Sequence, residues 1–115
     1  MRPIAQWTEA LFAQPWPLPA LAALPMPVLL LSGGIDPATP PRHAKRVAEA
    51  LGDKARHVIV PNAGHGLLGA GCVPDLLFRF IAAADEAQAL ALDAACATSI
   101  PRPPAFVPPG SEAPR

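Results

Sequence analysis

Two short apolar runs in the middle of the chain predict two buried strands. Residues 28–32 are continuously apolar up to Ser32 and lie between Pro27 and the pair Gly33-Gly34. A run without polar alternation is typical of a strand that is buried on both faces of a parallel sheet. Residues 57–60 form a second, β-branched run that ends at Pro61, and we expect a second strand there.

A helical repeat of apolar positions follows each predicted strand. Thr39-Pro40-Pro41 is a helix start, with Thr39 as the N-cap hydroxyl, and Gly52 is the matching stop. The apolar positions of this first helix are Ala44, Val47, Ala48 and Leu51. Those of the second helix are Val73, Leu76, Leu77, Phe80, Ile81 and Ala84. The order strand, helix, strand, helix predicts an α/β fold with parallel strands and a right-handed crossover.

The two ends of the chain are rich in proline and differ from the middle. We expect an approach segment over residues 1–27, with a short helix over about 3–13, because Ile4, Trp7 and Leu11 lie at helical spacing. The α/β unit occupies residues 28–98, of which 85–98 are only weakly helical. Residues 99–115 form a proline-rich tail.

Composition narrows the classes of protein that this chain can represent. A length of 115 residues with 51% hydrophobic residues fits one small folded domain and argues against disorder. Nine basic residues balance nine acidic ones, so a nucleic-acid partner is disfavoured. No apolar run is long enough to span a bilayer, and Gln6, Thr8 and Glu9 interrupt any signal-peptide core.

The two cysteines, Cys72 and Cys96, leave two interpretations open. In an oxidising compartment they would form a disulfide worth roughly 3–4 kcal/mol. Otherwise they are two buried free thiols. Neither belongs to a C-x-x-C motif, and the three scattered histidines make no zinc pattern. We therefore predict no metal and no cofactor.

Asp36 and His65 each follow the carboxyl end of a predicted strand. Functional groups of open α/β sheets gather at that edge, and a carboxylate beside an imidazole fixes the tautomer of a general base. Glycines around both positions (Gly33, Gly34, Gly64 and Gly66) would allow close backbone approach. Two simpler interpretations stay open, since Asp36-Pro37 is a common turn start and His65 could cap the next helix. His43 and His57 are predicted to be surface or packing residues.

The segments around Asp36 and His65 resemble the acid and histidine loops of α/β-hydrolases. The first, residues 27–41, follows the pattern P-V-L-x-L-x-G-x-x-D-P-x-T-P, and the second is Val60-Pro61-Asn62-Ala63-Gly64-His65-Gly66. The finer resemblance is to the C-terminal region of tripeptidyl-aminopeptidase-like (TAP-like) and proline-iminopeptidase-like hydrolases. It rests on G-H-G followed by Cys72, on Cys96 downstream, and on the ending Pro101-Arg102-Pro103-Pro104-Ala105-Phe106.

This resemblance implies roles for four residues. Asp36 would be the acid and His65 the general base of a serine-type catalytic triad, and Cys72 and Cys96 would form a disulfide. The family's serine lies in a G-x-S-x-G motif ahead of both. None of the chain's three serines lies in such a motif, and these are Ser32, Ser99 and Ser111.

We therefore expect the C-terminal β-α-β-α portion of a hydrolase of peptide, amide or ester bonds, incomplete and inactive by itself. Its partner would be the N-terminal part of the hydrolase, or a second copy, because the apolar strand would otherwise leave an edge unpaired. The alternative is a non-catalytic α/β interaction module that descends from a hydrolase. The cysteine pair and the resemblance favour a secreted or periplasmic protein, although no signal peptide is visible.

Overall fold

Two parallel strands form the centre of the computed structural model, which describes residues 21–105 and 108–109. In chain order the elements are strand β1 (Val28–Gly33), helix α1 (Pro41–Leu51), strand β2 (Ala55–Val60), helix α2 (Val73–Ile81) and helix α3 (Glu86–Leu90). Short 3₁₀ turns lie at Gly52–Lys54, Leu67–Gly69 and Ala95–Ser99. The predicted α/β class and the predicted element order are confirmed.

The strand register divides the side chains between two faces. Val28 pairs with Ala55 and Gly33 with Val60, in parallel. Because successive side chains alternate, one face carries Leu29 and Leu31 beside Val58 and Val60. The other carries Leu30 and Ser32 beside His57 and Ile59. Helix α1 makes the crossover and packs against both strands.

The core lies between the first of these faces and the chain that follows β2. Leu76, Val60 and Val73 are its largest fully buried side chains. The remaining buried members are Val58, Ala63, Leu67, Leu92 and Ala97. Helix α2 and the segment after it thus supply most of the apolar cover for β2.

Strand β1 is less buried than the sequence predicts. Val28, Leu29, Leu30 and Leu31 are all only half-buried. Among the described residues β1 pairs with β2 alone, so one of its edges has no neighbouring strand. Continuous apolar runs are typical of strands in the middle of a sheet, but the side chains of β1 are only partly covered by the described residues.

Helix α1 confirms most of its predicted pattern. Leu51 is buried, and the charged residues of the opposite face are exposed, namely Arg42, Lys45, Arg46 and Glu49. Gly52 ends the helix at a φ of 61°, in the region that favours glycine. The predicted N-cap is wrong. Pro40 occupies the N-cap position, no side chain caps the helix, and Pro41 is its first residue. The hydroxyl of Thr39 is engaged elsewhere, as described below.

Helix α2 is shorter than its apolar pattern predicts. It ends at Ile81, whose residue surface is 73% exposed, and Ala84 is also exposed. The reason is that a new helix starts here: the Asp85 carboxylate accepts a hydrogen bond from the backbone N–H of Gln88 at 2.8 Å. The Gln88 side chain accepts in return from the Ala84 amide at 2.6 Å. This reciprocal cap begins α3 and separates it from α2.

The helix predicted over residues 3–13 lies outside the described residues. In the part of the chain that is described, no helix has the length and apolar character needed to cross a membrane.

Candidate active site

The loop after β1 holds Asp36 by three hydrogen bonds from its own backbone and side chains. Oδ1 accepts from the amides of Ala38 at 2.8 Å and Thr39 at 3.0 Å. Oδ2 accepts from the Thr39 hydroxyl at 2.7 Å. Only 4% of the Asp36 side chain is exposed. An aspartate that accepts hydrogen bonds from the backbone amides two and three residues ahead folds its loop into a tight turn.

These contacts fix the charge of Asp36. The Thr39 hydroxyl is the largest cause that holds the pKa of the Asp36 carboxyl well below its usual range, followed by the Thr39 amide. Burial acts in the opposite direction but is outweighed, and the bonds from His65 and the Ala38 amide add to the lowering. Asp36 is therefore ionised at neutral pH and can only accept hydrogen bonds.

The loop after β2 brings His65 to this carboxylate. His65 Nδ1 lies 3.0 Å from Asp36 Oδ2 and 3.1 Å from Thr39 Oγ1. Since the carboxylate only accepts, the proton of the neutral ring belongs on Nδ1, and Nε2 keeps its lone pair. The His65 side chain is 68% exposed. The pair is thus an oriented imidazole base whose second nitrogen is free to take a proton.

Backbone contacts join the two loops directly. The Gly34 amide donates to the Val60 carbonyl at 2.8 Å, and the Ile35 amide donates to the Ala63 carbonyl at 3.1 Å. A Cβ at position 33 would overlap the Ala63 carbonyl oxygen, 2.5 Å away, and one at position 34 would lie equally close to that of Pro61. The predicted role of Gly33 and Gly34 in close approach is confirmed.

The close approach includes the Gly64 carbonyl, which lies against Gly33, but it requires glycine at neither Gly64 nor Gly66. A Cβ at either position meets nothing within 4 Å. Among the described glycines only Gly52 and Gly71 have positive φ. The steric need for glycine is confined to the acid loop, because only there would an added Cβ meet the carbonyl groups of the other loop.

Thr39 contacts the Asp36–His65 pair, whereas the sequence predicts it as the helix N-cap. Its hydroxyl donates to Asp36 Oδ2 and lies beside the His65 ring nitrogen, so it touches both members of the pair. The spacing Asp-Pro-x-Thr contained the signal, since a hydroxyl three residues after an aspartate can close on its carboxylate. The same hydroxyl fits an N-cap, and only the structure decides between the two uses.

The other described histidines and serines do not join this pair. His43 is exposed on α1. The Ser32 hydroxyl lies 2.9 Å from Nε2 of His57, and burial lowers the pKa of that imidazole. Ser99 lies in the 3₁₀ turn Ala95–Ser99, and Ser111 lies outside the described residues. His43 is thus a surface residue and His57 a partly buried one, in line with the prediction of surface or packing residues.

Cys72 and Cys96 form a disulfide, with their Cα atoms 6.4 Å apart. The free-thiol interpretation is therefore wrong. The bond joins the start of α2 to the turn Ala95–Ser99. Within residues 21–105 and 108–109, no three His, Cys, Asp or Glu side chains are grouped to hold a metal ion.

One comparison with known proteins identifies the family. The model of a family described as TAP-like protein, an α/β-hydrolase family, matches residues 5–102, which include both loops of the pair and both cysteines. No curated protein and no solved structure matches the chain. The acid loop, the histidine loop and the disulfide thus all lie within one matched region, and the chain belongs to the TAP-like family of α/β-hydrolases.

Proposed function

We propose that this chain supplies the acid and the general base of a serine-type hydrolase that cleaves peptide, amide or ester bonds. The observation that carries the proposal is the hydrogen bond between His65 Nδ1 and the ionised Asp36 carboxylate. A histidine fixed in this way presents Nε2 as the base, which is its role in a Ser-His-Asp triad. Family membership adds support, because α/β-hydrolases place their acid and histidine after two late strands in this order.

In the proposed reaction, His65 Nε2 takes the proton of a serine hydroxyl as that oxygen attacks the substrate carbonyl. Asp36 stabilises the imidazolium that forms, and His65 then passes its proton to the leaving group. Thr39 holds the carboxylate in place throughout, through its short bond to Oδ2. The serine belongs to a G-x-S-x-G segment that would come from polypeptide joined to or bound by this chain.

The uncovered edge of β1 is where we propose that this polypeptide docks. Its four apolar residues, Val28 to Leu31, are half-buried, and one edge of the strand lacks a partner among the described residues. A further strand along this edge would complete the backbone hydrogen bonds and cover the apolar side chains. A second copy of the chain could occupy the same edge without supplying a G-x-S-x-G serine.

The test begins with the coding DNA ahead of the first codon. A segment that encodes G-x-S-x-G between strand and helix patterns would be expressed with this chain, joined or as a separate polypeptide. We expect the assembly to hydrolyse peptide p-nitroanilides, and Asp36→Asn to lower kcat by about 10⁴-fold, as expected for a wrong histidine tautomer. His65→Ala should lose at least as much activity.

His43→Ala is the matched control, because His43 is an exposed histidine on α1. It should leave hydrolysis unchanged. Binding of the partner segment that survives both Asp36→Asn and His65→Ala, without any hydrolysis in the unsubstituted assembly, would instead favour the non-catalytic interaction module.

A further inference from the structure

The C-terminal segment, residues 95–104, is bonded to the histidine loop through one asparagine. Asn62 Nδ2 donates to the Ile100 carbonyl at 3.0 Å. The Arg102 Nε–H donates to Asn62 Oδ1 at 3.3 Å. Both ends of the Asn62 amide are therefore engaged by the same stretch of chain, three residues before His65.

That stretch of chain is anchored to the body of the fold. Cys96 is bonded to Cys72, and Ala97 is 1% exposed within the core. The Ile100 side chain packs closely on Gly71, because a Cβ added at Gly71 would lie 2.7 Å from Ile100 Cγ1. A disulfide, a buried residue and a tight side-chain contact thus fix the C-terminal segment where it meets Asn62.

Two neighbouring residues of the histidine loop, Asn62 and Ala63, are therefore hydrogen-bonded to two different segments. The acid loop holds it through the Ile35 amide and the Ala63 carbonyl. The C-terminal segment holds it through Asn62. His65 itself is mostly exposed, and its described hydrogen bonds run only to Asp36 and Thr39. The direction of its ring therefore depends on where the loop backbone is held.

We infer that Asn62 is a positioning residue, which together with Arg102 ties the histidine loop to the disulfide-anchored C-terminal segment and so keeps Nδ1 of His65 on Asp36. This inference rests on the proposed role of the Asp36–His65 pair. It gives a task to the Pro101-Arg102-Pro103-Pro104 ending and to the disulfide, neither of which takes part in the proposed chemistry.

The experiment uses the full, oxidised chain labelled with ¹⁵N. Two-bond ¹H–¹⁵N correlations from the carbon-bound ring protons report which nitrogen of each neutral histidine carries the proton, and His43→Gln and His57→Gln assign the signals. In the unsubstituted chain we expect His65 to carry its proton on Nδ1. Asn62→Ala removes both bonds of the Asn62 amide, and the ratio of the Nδ1–H to the Nε2–H form should fall about fivefold, the size of a typical net hydrogen-bond contribution to an equilibrium.

Two further variants complete the experiment. Arg102→Ala changes an exposed residue and removes, among the described hydrogen bonds, the one to Asn62 alone. It should therefore lower the ratio less, and it keeps the test valid if Asn62→Ala does not fold. Thr98→Val is the matched control, because it removes a 2.8 Å hydrogen bond from Thr98 to the Ala95 carbonyl inside the same segment. It should leave the ratio unchanged.

The outcomes separate this inference from the proposal on which it rests. A proton on Nε2 of His65 in the unsubstituted chain would overturn the Asp36–His65 pair and the role of Asn62 together. A proton on Nδ1 that persists undiminished in Asn62→Ala and Arg102→Ala would leave the pair intact and overturn the positioning role. A fall that Thr98→Val reproduces would mean general loosening of the segment, and would also overturn it.

Discussion

His65 Nδ1 lies 3.0 Å from Asp36 Oδ2, although the two residues are 29 positions apart in the chain. The approach follows from the topology: β1 and β2 are parallel neighbours, so the loops that leave their carboxyl ends emerge side by side. The Thr39 hydroxyl then completes a three-membered cluster at this edge.

Thr39→Val should raise the pKa of Asp36 toward its ordinary value. The Thr39 hydroxyl is the largest cause of the lowered value, and valine keeps the backbone amide but removes that donor. A ¹³C titration of the Asp36 carboxyl, over the acidic range in which the fold persists, measures the change. Thr39→Ser retains the hydroxyl and is the control, so it should titrate like the unsubstituted chain. Identical titrations for valine and serine would contradict the assigned cause.

Gly33→Ala should destabilise the fold by about 1–3 kcal/mol, the usual cost of overpacking. The added methyl would overlap the carbonyl oxygens of Ala63 and Gly64, which are backbone and cannot swing aside. Urea unfolding followed by circular dichroism measures the loss. Gly66→Ala is the control, since a Cβ there meets open space at a φ of −85°, and it should cost nothing. Equal stability of the two variants would argue against the tight contact between the loops.

His57 should make the fold less stable as the pH falls below 6.5, the ordinary pKa of histidine. Burial lowers the pKa of His57 below its ordinary 6.5. Below that pH the unfolded chain therefore binds a proton that the folded chain refuses, and the free energy of unfolding decreases. His57→Gln can still bond Ser32 but does not titrate. It should flatten this part of the stability curve, whereas His43→Gln, at an exposed position, should not.

Leu76→Ala should cost about 2–5 kcal/mol, the range for removing a large buried side chain. Leu76 is 0% exposed on the inner face of α2, whereas Phe78, two residues along the same helix, is 69% exposed. Phe78→Ala should therefore change the free energy of unfolding by no more than about 0.5 kcal/mol. Chemical denaturation of both variants compares them directly. A larger loss for Phe78→Ala would mean that the outer face of α2 is covered in solution.

Replacement of both cysteines by serine should destabilise the chain by about 3 kcal/mol, from the loop entropy that the disulfide removes from the unfolded state. The bond joins residues separated by 24 positions. Thermal unfolding of the double variant, against the oxidised unsubstituted chain, measures the difference. The reduced unsubstituted chain should match the double variant, and a mismatch would assign the loss to the serines instead.

Local pattern was enough to predict the two strands, the helices α1 and α2, and the placement of Asp36 and His65. A short apolar run bounded by proline and glycine is more typical of a buried strand than of a helix. Helical spacing of the apolar residues shows which face of α1 packs inward. The rule that functional groups follow the carboxyl ends of parallel strands then selects Asp36 and His65. The predicted end of α2 was wrong because the apolar pattern continues beyond Ile81, whereas the hydrogen bonds of Asp85 and Gln88 start a new helix.

The sequence by itself thus determined the α/β class, the order of the elements and the two residues at the sheet edge, because periodicity and chain order are properties of the chain alone. Only the tertiary structure decided which partner Thr39 takes, which glycines lie against a carbonyl, whether the cysteines bond, and that Asn62 meets Ile100 and Arg102. Apart from the local bond of Thr39 to Asp36, each of these depends on a distance of a few ångströms between segments remote in the chain. Such distances are set by the packing of β1, β2 and α2, and no pattern within one segment contains them.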